Sequence, residues 1–254
     1  MGDAALSALR NLLSLQELAE GQTRVSLGHR AADICLKGGL PKGTLHEVFA
    51  LDSSHAGAAS GFAACLAMRL SENKKLLWIR QDFSALEFGE LNATGLLELG
   101  LDPDRVIVVR AADASGVLRA AGEGLSCAAL GAVIAEIPSE PKILDLVASR
   151  RLNFAAARLG VTAILLRLAA EPEASAAETR WVVRAARSAN NDDWGAPVFA
   201  AELVRNRHGE IGNWVMEWSI DHGIFREPAA DSRAHAAASL DRPAQAAQIH
   251  RRAG

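Results

Sequence analysis

If this chain performs chemistry, the segment Ala50-Leu51-Asp52-Ser53-Ser54-His55-Ala56-Gly57-Ala58-Ala59-Ser60 is the place for it. Residues 44–49 before it alternate like a strand, and residues 61–70 after it read as a small-residue helix. A loop at the carboxyl end of a core strand is where open α/β folds bind phosphate, through backbone N–H groups and a helix N-terminus. A working phosphate loop reads GxxxxGK[ST]. Its glycines allow close backbone approach, its lysine meets the phosphate charge, and its hydroxyl binds Mg²⁺. Here Ala50 stands for the leading glycine, and there is no lysine between Lys42 and Lys74. Ungapped, the lysine place falls on Ala56. With a longer loop it falls on Ala59, and Ser60 takes the hydroxyl place. Ser53, Ser54, Gly57 and Ser60 remain as a degenerate nucleotide-binding set. Loss of the cation removes a transition-state contribution of about 3 kcal/mol or more. The expectation is a site with no catalytic residue, no cofactor and no metal.

The alternative keeps ATP and Mg²⁺. Two carboxylates would then do the chemistry. Glu136 ends the run Ala132-Val133-Ile134-Ala135-Glu136, where an acid at a strand end holds Mg²⁺ through water. Asp82 follows the run LLWIR and could activate water. The plainer alternative for both is a carboxylate at a solvated strand end. Asp52, beside the phosphate position, would repel nucleotide.

These residues need a scaffold, and the apolar runs supply one. Residues 76–79, 106–109, 132–137 and 162–168 are apolar without alternation and are separated by helical patterns at 87–99, 116–125 and 143–160. That texture implies a mostly parallel sheet covered by helices on both faces. After Glu171-Pro172 the segments WVVRAARSANND, PVFAAELVRNRHG and NWVMEWSI read as a C-terminal β-hairpin extension. Trp181, Trp194, Trp214 and Trp218 lie there, to pack the hairpin on the main sheet or to stack on bases. The organisation expected is an amphipathic N-terminal helix at 1–21, an α/β domain at 22–226, and a disordered tail at 227–254.

Composition bounds the function. The 254 residues are 50% hydrophobic and 22% charged, with a formal charge of −3, which excludes wholesale disorder and a uniformly basic nucleic-acid coat protein. No run approaches the roughly 20 apolar residues of a membrane span. Cys35, Cys65 and Cys127 are an odd, scattered set, read as reduced core thiols of a cytoplasmic protein.

The stretch LGHRAADICLKGGLPKGTLHEVFALDSS with its following helix resembles the opening of the RecA core, and ELGLDPDRVIVVRAADASGVLRAAGEGL is similar to the next strand and helix there. LVASRRLNFAAARLGVTAILLR and RWVVRAARSANND…APVFAAELVRNRHGEIGNWVMEW resemble the ImuA family, RecA-like proteins of bacterial SOS mutagenesis operons. The resemblance spans roughly residues 20–226. It implies a RecA-like fold with a degenerate P-loop and a role in damage-induced translesion DNA synthesis. The partners it implies are ImuB, an inactive Y-family polymerase relative; RecA; and, through the complex, the error-prone polymerase DnaE2 (ImuC). Self-association and nucleoid association are further expectations.

Binding residues are read from charge and pattern. Of the 27 basic residues five are lysines, and the arginines favour bidentate contacts. Arg184, Arg187, Arg205 and Arg207 on the hairpin are candidates for partner or single-stranded DNA contacts, or else an ordinary solvated face. Strand alternation would point Arg180 and Arg184 to one face and Arg187 to the other. The connection LAAEPEASAAETR is acidic and unsuited to DNA. Leu6, Leu9 and Leu13, on a helix capped by Asp3, are candidates for self-association or for packing on their own domain. Gln245, Ile249, Arg251 and Arg252 in the tail are candidates for recruiting the polymerase relative. The expected function is a non-catalytic accessory and assembly protein bridging ImuB with RecA or DNA. The alternatives are a weak ATPase switch and an inhibitor that caps recombinase filaments.

Overall fold

A computed structural model describes residues 23–188 and 195–228. Strands β1 (Arg24–Val25) and β2 (Leu40–Pro41) form a small antiparallel pair around helix α1 (Arg30–Cys35). Then follow β3 (Leu45–Ala50), α2 (Ala56–Leu70), β4 (Lys75–Gln81), α3 (Ser84–Phe88), α4 (Ala93–Glu98), β5 (Val106–Ala111), α5 (Ala114–Leu125) and β6 (Leu130–Glu136). The chain continues through α6 (Leu146–Leu159), β7 (Thr162–Leu168), β8 (Thr179–Ala185), β9 (Val198–Asn206), β10 (Gly212–Ser219) and β11 (Ile224–Arg226).

One nine-stranded sheet, ordered β11-β10-β9-β8-β3-β7-β6-β4-β5, carries the body. From β8 to β5 neighbouring strands run parallel, and β8 to β11 form an antiparallel meander. The fold class read from the sequence therefore holds: a mostly parallel sheet flanked by helices, with an antiparallel C-terminal extension. Strands β3, β6 and β7 are buried at every position, as continuous apolar runs require when both faces are covered. Helix α2 covers one face with Phe62, Leu66 and Leu70, while α5 and α6 cover the other with Val117, Leu125, Leu152 and Ala156. The aromatic residues of the meander pack beneath α2. Phe62 lies 5.5 Å from Trp181 and 5.1 Å from Phe225, and Trp218 lies 4.9 Å from Phe225. Trp181 and Trp218 are thus core residues, and Trp214 packs against them half-buried; Trp194 lies outside the described residues.

Three local expectations are corrected. Residues 52–60 are not one loop: Asp52 caps a 3-10 turn over Ser53–His55, and α2 begins at Ala56. Most of α2 is buried, so its small residues show little amphipathic period. The stretch 87–99 is not one helix either, because Gly89, at φ +82°, ends α3 before Asn92 caps α4. Of the cysteines, only Cys65 is a core thiol, and burial raises its pKa; Cys35 is half-buried and Cys127 exposed. Among the described residues no helix is long and apolar enough to cross a membrane. Residues 1–21, most of 227–254, and with them Leu6, Leu9, Leu13, Gln245, Ile249, Arg251 and Arg252, lie outside the described residues.

Candidate functional site

At the carboxyl end of β3 the chain crosses one face of the sheet as α2. At the end of β7 it crosses the other, where Ser175 Oγ donates to Glu47 Oε2 at 2.9 Å and Ser149 Oγ of α6 accepts from Ala176 N at 3.0 Å. Connections leaving in opposite directions mark the crevice between neighbouring strands that is the usual ligand position of an open α/β sheet; here the pocket lined by Glu47, Ser149, Arg167 and Ser175 holds only about 10 Å³. Two non-glycine residues with positive φ flank it, Ser139 at +57° after β6 and Ala169 at +48° after β7.

The turn after β3 supplies its own anion. Asp52 Oδ1 accepts from Ser54 N at 2.9 Å and from the Ser54 hydroxyl. The Ser54 hydroxyl is the main cause holding the Asp52 carboxyl below its usual pKa. The Ser54 N–H that would face a phosphate is therefore taken. Ser53 is exposed, and Gly57 sits in the first turn of α2 with open space where a side chain would be. Ser60 lies a full turn inside α2, past the free N–H groups of the helix end. Helix α2 starts at Ala56, which is buried.

The end of β6 supplies its own cation. Glu136 is 1% exposed, so it is not a solvated strand-end acid. Its Oε1 accepts from Arg80 Nη2 at 2.9 Å and its Oε2 from Trp78 Nε1 at 3.1 Å. Strand β4 points Trp78 and Arg80 to the same face, one pleat apart. The same Nη2 also donates to Gly89 O at 2.9 Å, and Nη1 lies 3.7 Å from Glu90. Both carboxylate oxygens are committed, Oε1 to Arg80 and Oε2 to Trp78. Asp82, the other candidate, is exposed; its N–H bonds Ala111 O of the edge strand at 2.9 Å. Three strand spacings, about 14 Å, separate β4 from β3. The structure therefore does not bring Asp82 and the β3 turn together. Among the described residues no cluster of His, Cys, Asp and Glu could hold a metal ion.

The other arginines near the crevice are occupied. Arg167, whose pKa burial lowers, donates to Ile137 O and Ser139 O at 3.2 and 2.7 Å. Arg180 Nε meets Glu47 at 2.7 Å, and both guanidinium groups lie over the Phe49 ring, at 5.5 and 5.8 Å. Of the hairpin candidates, exposed Arg184 faces Glu202 at 3.9 Å, and Arg187 follows the end of β8, so strand parity does not apply to it. Arg184 pairs with Ala200 on β9, whereas Arg205 lies five residues further along, about 17 Å away, with Arg207 in the turn beyond. The four arginines form two groups at opposite ends of the hairpin.

Arg80 is the residue the sequence reading missed. Its signal was present: an arginine two positions after Trp78 in the apolar run LLWIR must face the core, and a buried guanidinium needs an acid.

No family model matches the chain. Two curated proteins do match it, both named Protein ImuA, from Caulobacter vibrioides strains NA1000 / CB15N and ATCC 19089 / CIP 103742 / CB 15. Each is 31% identical over 211 residues, which is 76% of this chain and 82% of the relative.

Proposed function

The chain belongs to the ImuA family, and on that premise we propose that it is a non-catalytic accessory protein of SOS-induced error-prone translesion synthesis, joining an ImuB-type polymerase relative to RecA. The observation that carries the non-catalytic part is the pair of internal charges at the crevice. Asp52 fills the anion position of the β3 turn, and Arg80 fills the cation position at Glu136. A nucleotide–Mg²⁺ complex would have to displace both. RecA is preferred to DNA as the second partner because the candidate arginines do not form one basic patch. The polymerase DnaE2 (ImuC) would join through ImuB.

Two measurements test this reading. Equilibrium binding of ATP–Mg²⁺ to the full chain, with turnover assayed with and without single-stranded DNA, addresses catalysis. Absence of binding at millimolar nucleotide is expected. Saturable binding with DNA-stimulated turnover would overturn the reading and make the protein an ATP-driven switch. Co-purification of ImuB and RecA with the full chain, and with a chain lacking 227–254, addresses bridging. Loss of ImuB with RecA retained is expected, and the opposite result favours a filament cap.

A further inference from the structure

The nine-stranded sheet ends differently on its two sides. On one side β11 has only three residues, and Phe225 N donates to Leu27 O at 2.8 Å, so part of that edge is covered. On the other side β5 has six residues, and among the described residues it pairs with β4 alone. Ala111 O accepts from Asp82 N, so by strand alternation residues 107, 109 and 111 turn their backbone groups to β4. Residues 106, 108 and 110 turn theirs outward. Pro103 O takes the Val106 N–H, which leaves the N–H groups of Val108 and Arg110 for an outside strand. The side chains do not guard this edge. Ile107 and Val108, on opposite faces, are 47% and 46% exposed. The one charged residue of the strand, Arg110, is held by Glu90 of its own chain at 2.5 Å. On the α5 side a groove of about 660 Å³, floored by Leu77, Val109 and Ala120, lies open beside the strand. An unpaired apolar edge of this kind is a template for another strand.

We propose that the occupant is β5 of a second copy, paired antiparallel about a two-fold axis. Backbone and charge together select the register. Outward-facing residues must meet outward-facing residues, and the strand is long enough for about five residues of each copy to pair only if the axis passes Val108 or Val109. With the axis at Val109, the two Arg110 side chains become diagonal neighbours on one face and repel. With the axis at Val108, Val108 meets Val108, and Ile107 of each copy meets Val109 at the mouth of the other's groove. The Arg110 side chains then part to opposite ends. Each lies opposite Val106 and diagonal to the exposed Asp104 of the other copy, within reach of a long side chain. Arg105, near the same end, is turned back to Ser71 Oγ and Lys74 O of its own chain. A two-fold contact is closed, so assembly stops at a pair. So short a seam makes a small interface, and the pair forms and separates with concentration.

Sedimentation and hydrogen exchange on the full chain, across a dilution series, test this. The mass is expected to double with concentration. The amides of Val108 and Arg110 should gain protection in step, while β4 keeps those of Ile107 and Val109 protected throughout. Val108→Pro removes the N–H at the axis without touching the β4 ladder, and it should leave the chain monomeric. An unchanged near-UV signal of Trp181 and Trp218 shows that this variant is folded. Asp104→Arg should weaken association about tenfold, and Asp104→Glu should preserve it. In a Cys127→Ser background, Val108→Cys should form a disulfide between copies, since its Cα faces its own counterpart at about 5.5 Å, whereas Ile107→Cys should not. Three results would overturn the proposal: a monomer at every concentration, a dimer that Val108→Pro leaves intact, or protection of Val108 and Arg110 that ignores dilution, which would place a segment of the same chain on the edge.

Discussion

Arg80 and Glu136 exchange charge inside a site sealed from water, and such a pair responds asymmetrically to mutation. Arg80→Ala leaves a buried carboxylate with only Trp78 as donor. Urea unfolding should show a loss of about 3–5 kcal/mol, whereas replacing both partners with apolar residues, as in Arg80→Met with Glu136→Leu, should recover most of it. A loss from the double change as large as from the single one would mean that the pair itself contributes net stability. His46 gives a second prediction at this scale. It is fully buried, and desolvation is the main cause lowering its pKa from 6.5 to about 4. Its Nε2–H donates to Pro41 O at 3.0 Å, which opposes the shift, and Nδ1 lies 2.8 Å from Thr179 Oγ1. Because the unfolded chain binds the proton more tightly, this contribution is intact above pH 6.5 and is lost as pH falls to about 4. That is roughly 3 kcal/mol. His46→Gln should flatten the stability–pH curve across that window, as read by urea midpoints.

Two glycines separate local propensity from packing at the scale of elements. Gly57 lies in the first turn of α2 with nothing within 4 Å of a Cβ, so Gly57→Ala should be neutral or stabilising by up to about 1 kcal/mol. Gly131, the second residue of β6, lies against the turn after α2, where a Cβ would lie 2.4 Å from Ser71 O, a backbone atom that cannot step aside. Gly131→Ala should lower the melting temperature by an amount equivalent to about 1–3 kcal/mol. The same distinction governs what was legible in the sequence. Strands β4, β6 and β7 were readable because burial on both faces writes an uninterrupted apolar run. The meander was readable from its turns. Helix α2 was placed five residues late, because a helix surrounded by core has no polar stripe to mark its start. The Arg80–Glu136 pair joins residues 56 positions apart, and only the adjacency of β4 and β6 brings them together. No local pattern encodes that adjacency. The departures of residues 50–60 from GxxxxGK[ST] were legible, but not the cap that Asp52 forms on Ser54 or the pairing of Arg80 with Glu136.

The whole molecule depends on how firmly the antiparallel meander is joined to the parallel half. They share one ladder, β3 with β8, the helix α2, whose Phe62 touches Trp181, Phe199 and Phe225 at ring separations of 5.5, 5.6 and 5.1 Å, and single bonds such as Trp218 Nε1 to Leu99 O at 2.8 Å. Phe62 is fully buried, so Phe62→Ala opens a cavity at the junction and should cost about 3–5 kcal/mol. The position of the cavity makes a sharper prediction than its size. In the unmodified protein, far-UV circular dichroism and the near-UV signal of the meander tryptophans should share one denaturation midpoint, since the sheet is continuous. In Phe62→Ala, amides of β9 such as Ala201 and Leu203 should lose more exchange protection than those of β6 such as Val133 and Ile134, because only the meander loses its anchor. Equal losses in both strands would show that α2 stabilises the sheet as one unit. Unequal losses would make the meander a separable module, and contacts made there could then be broken without unfolding the crevice.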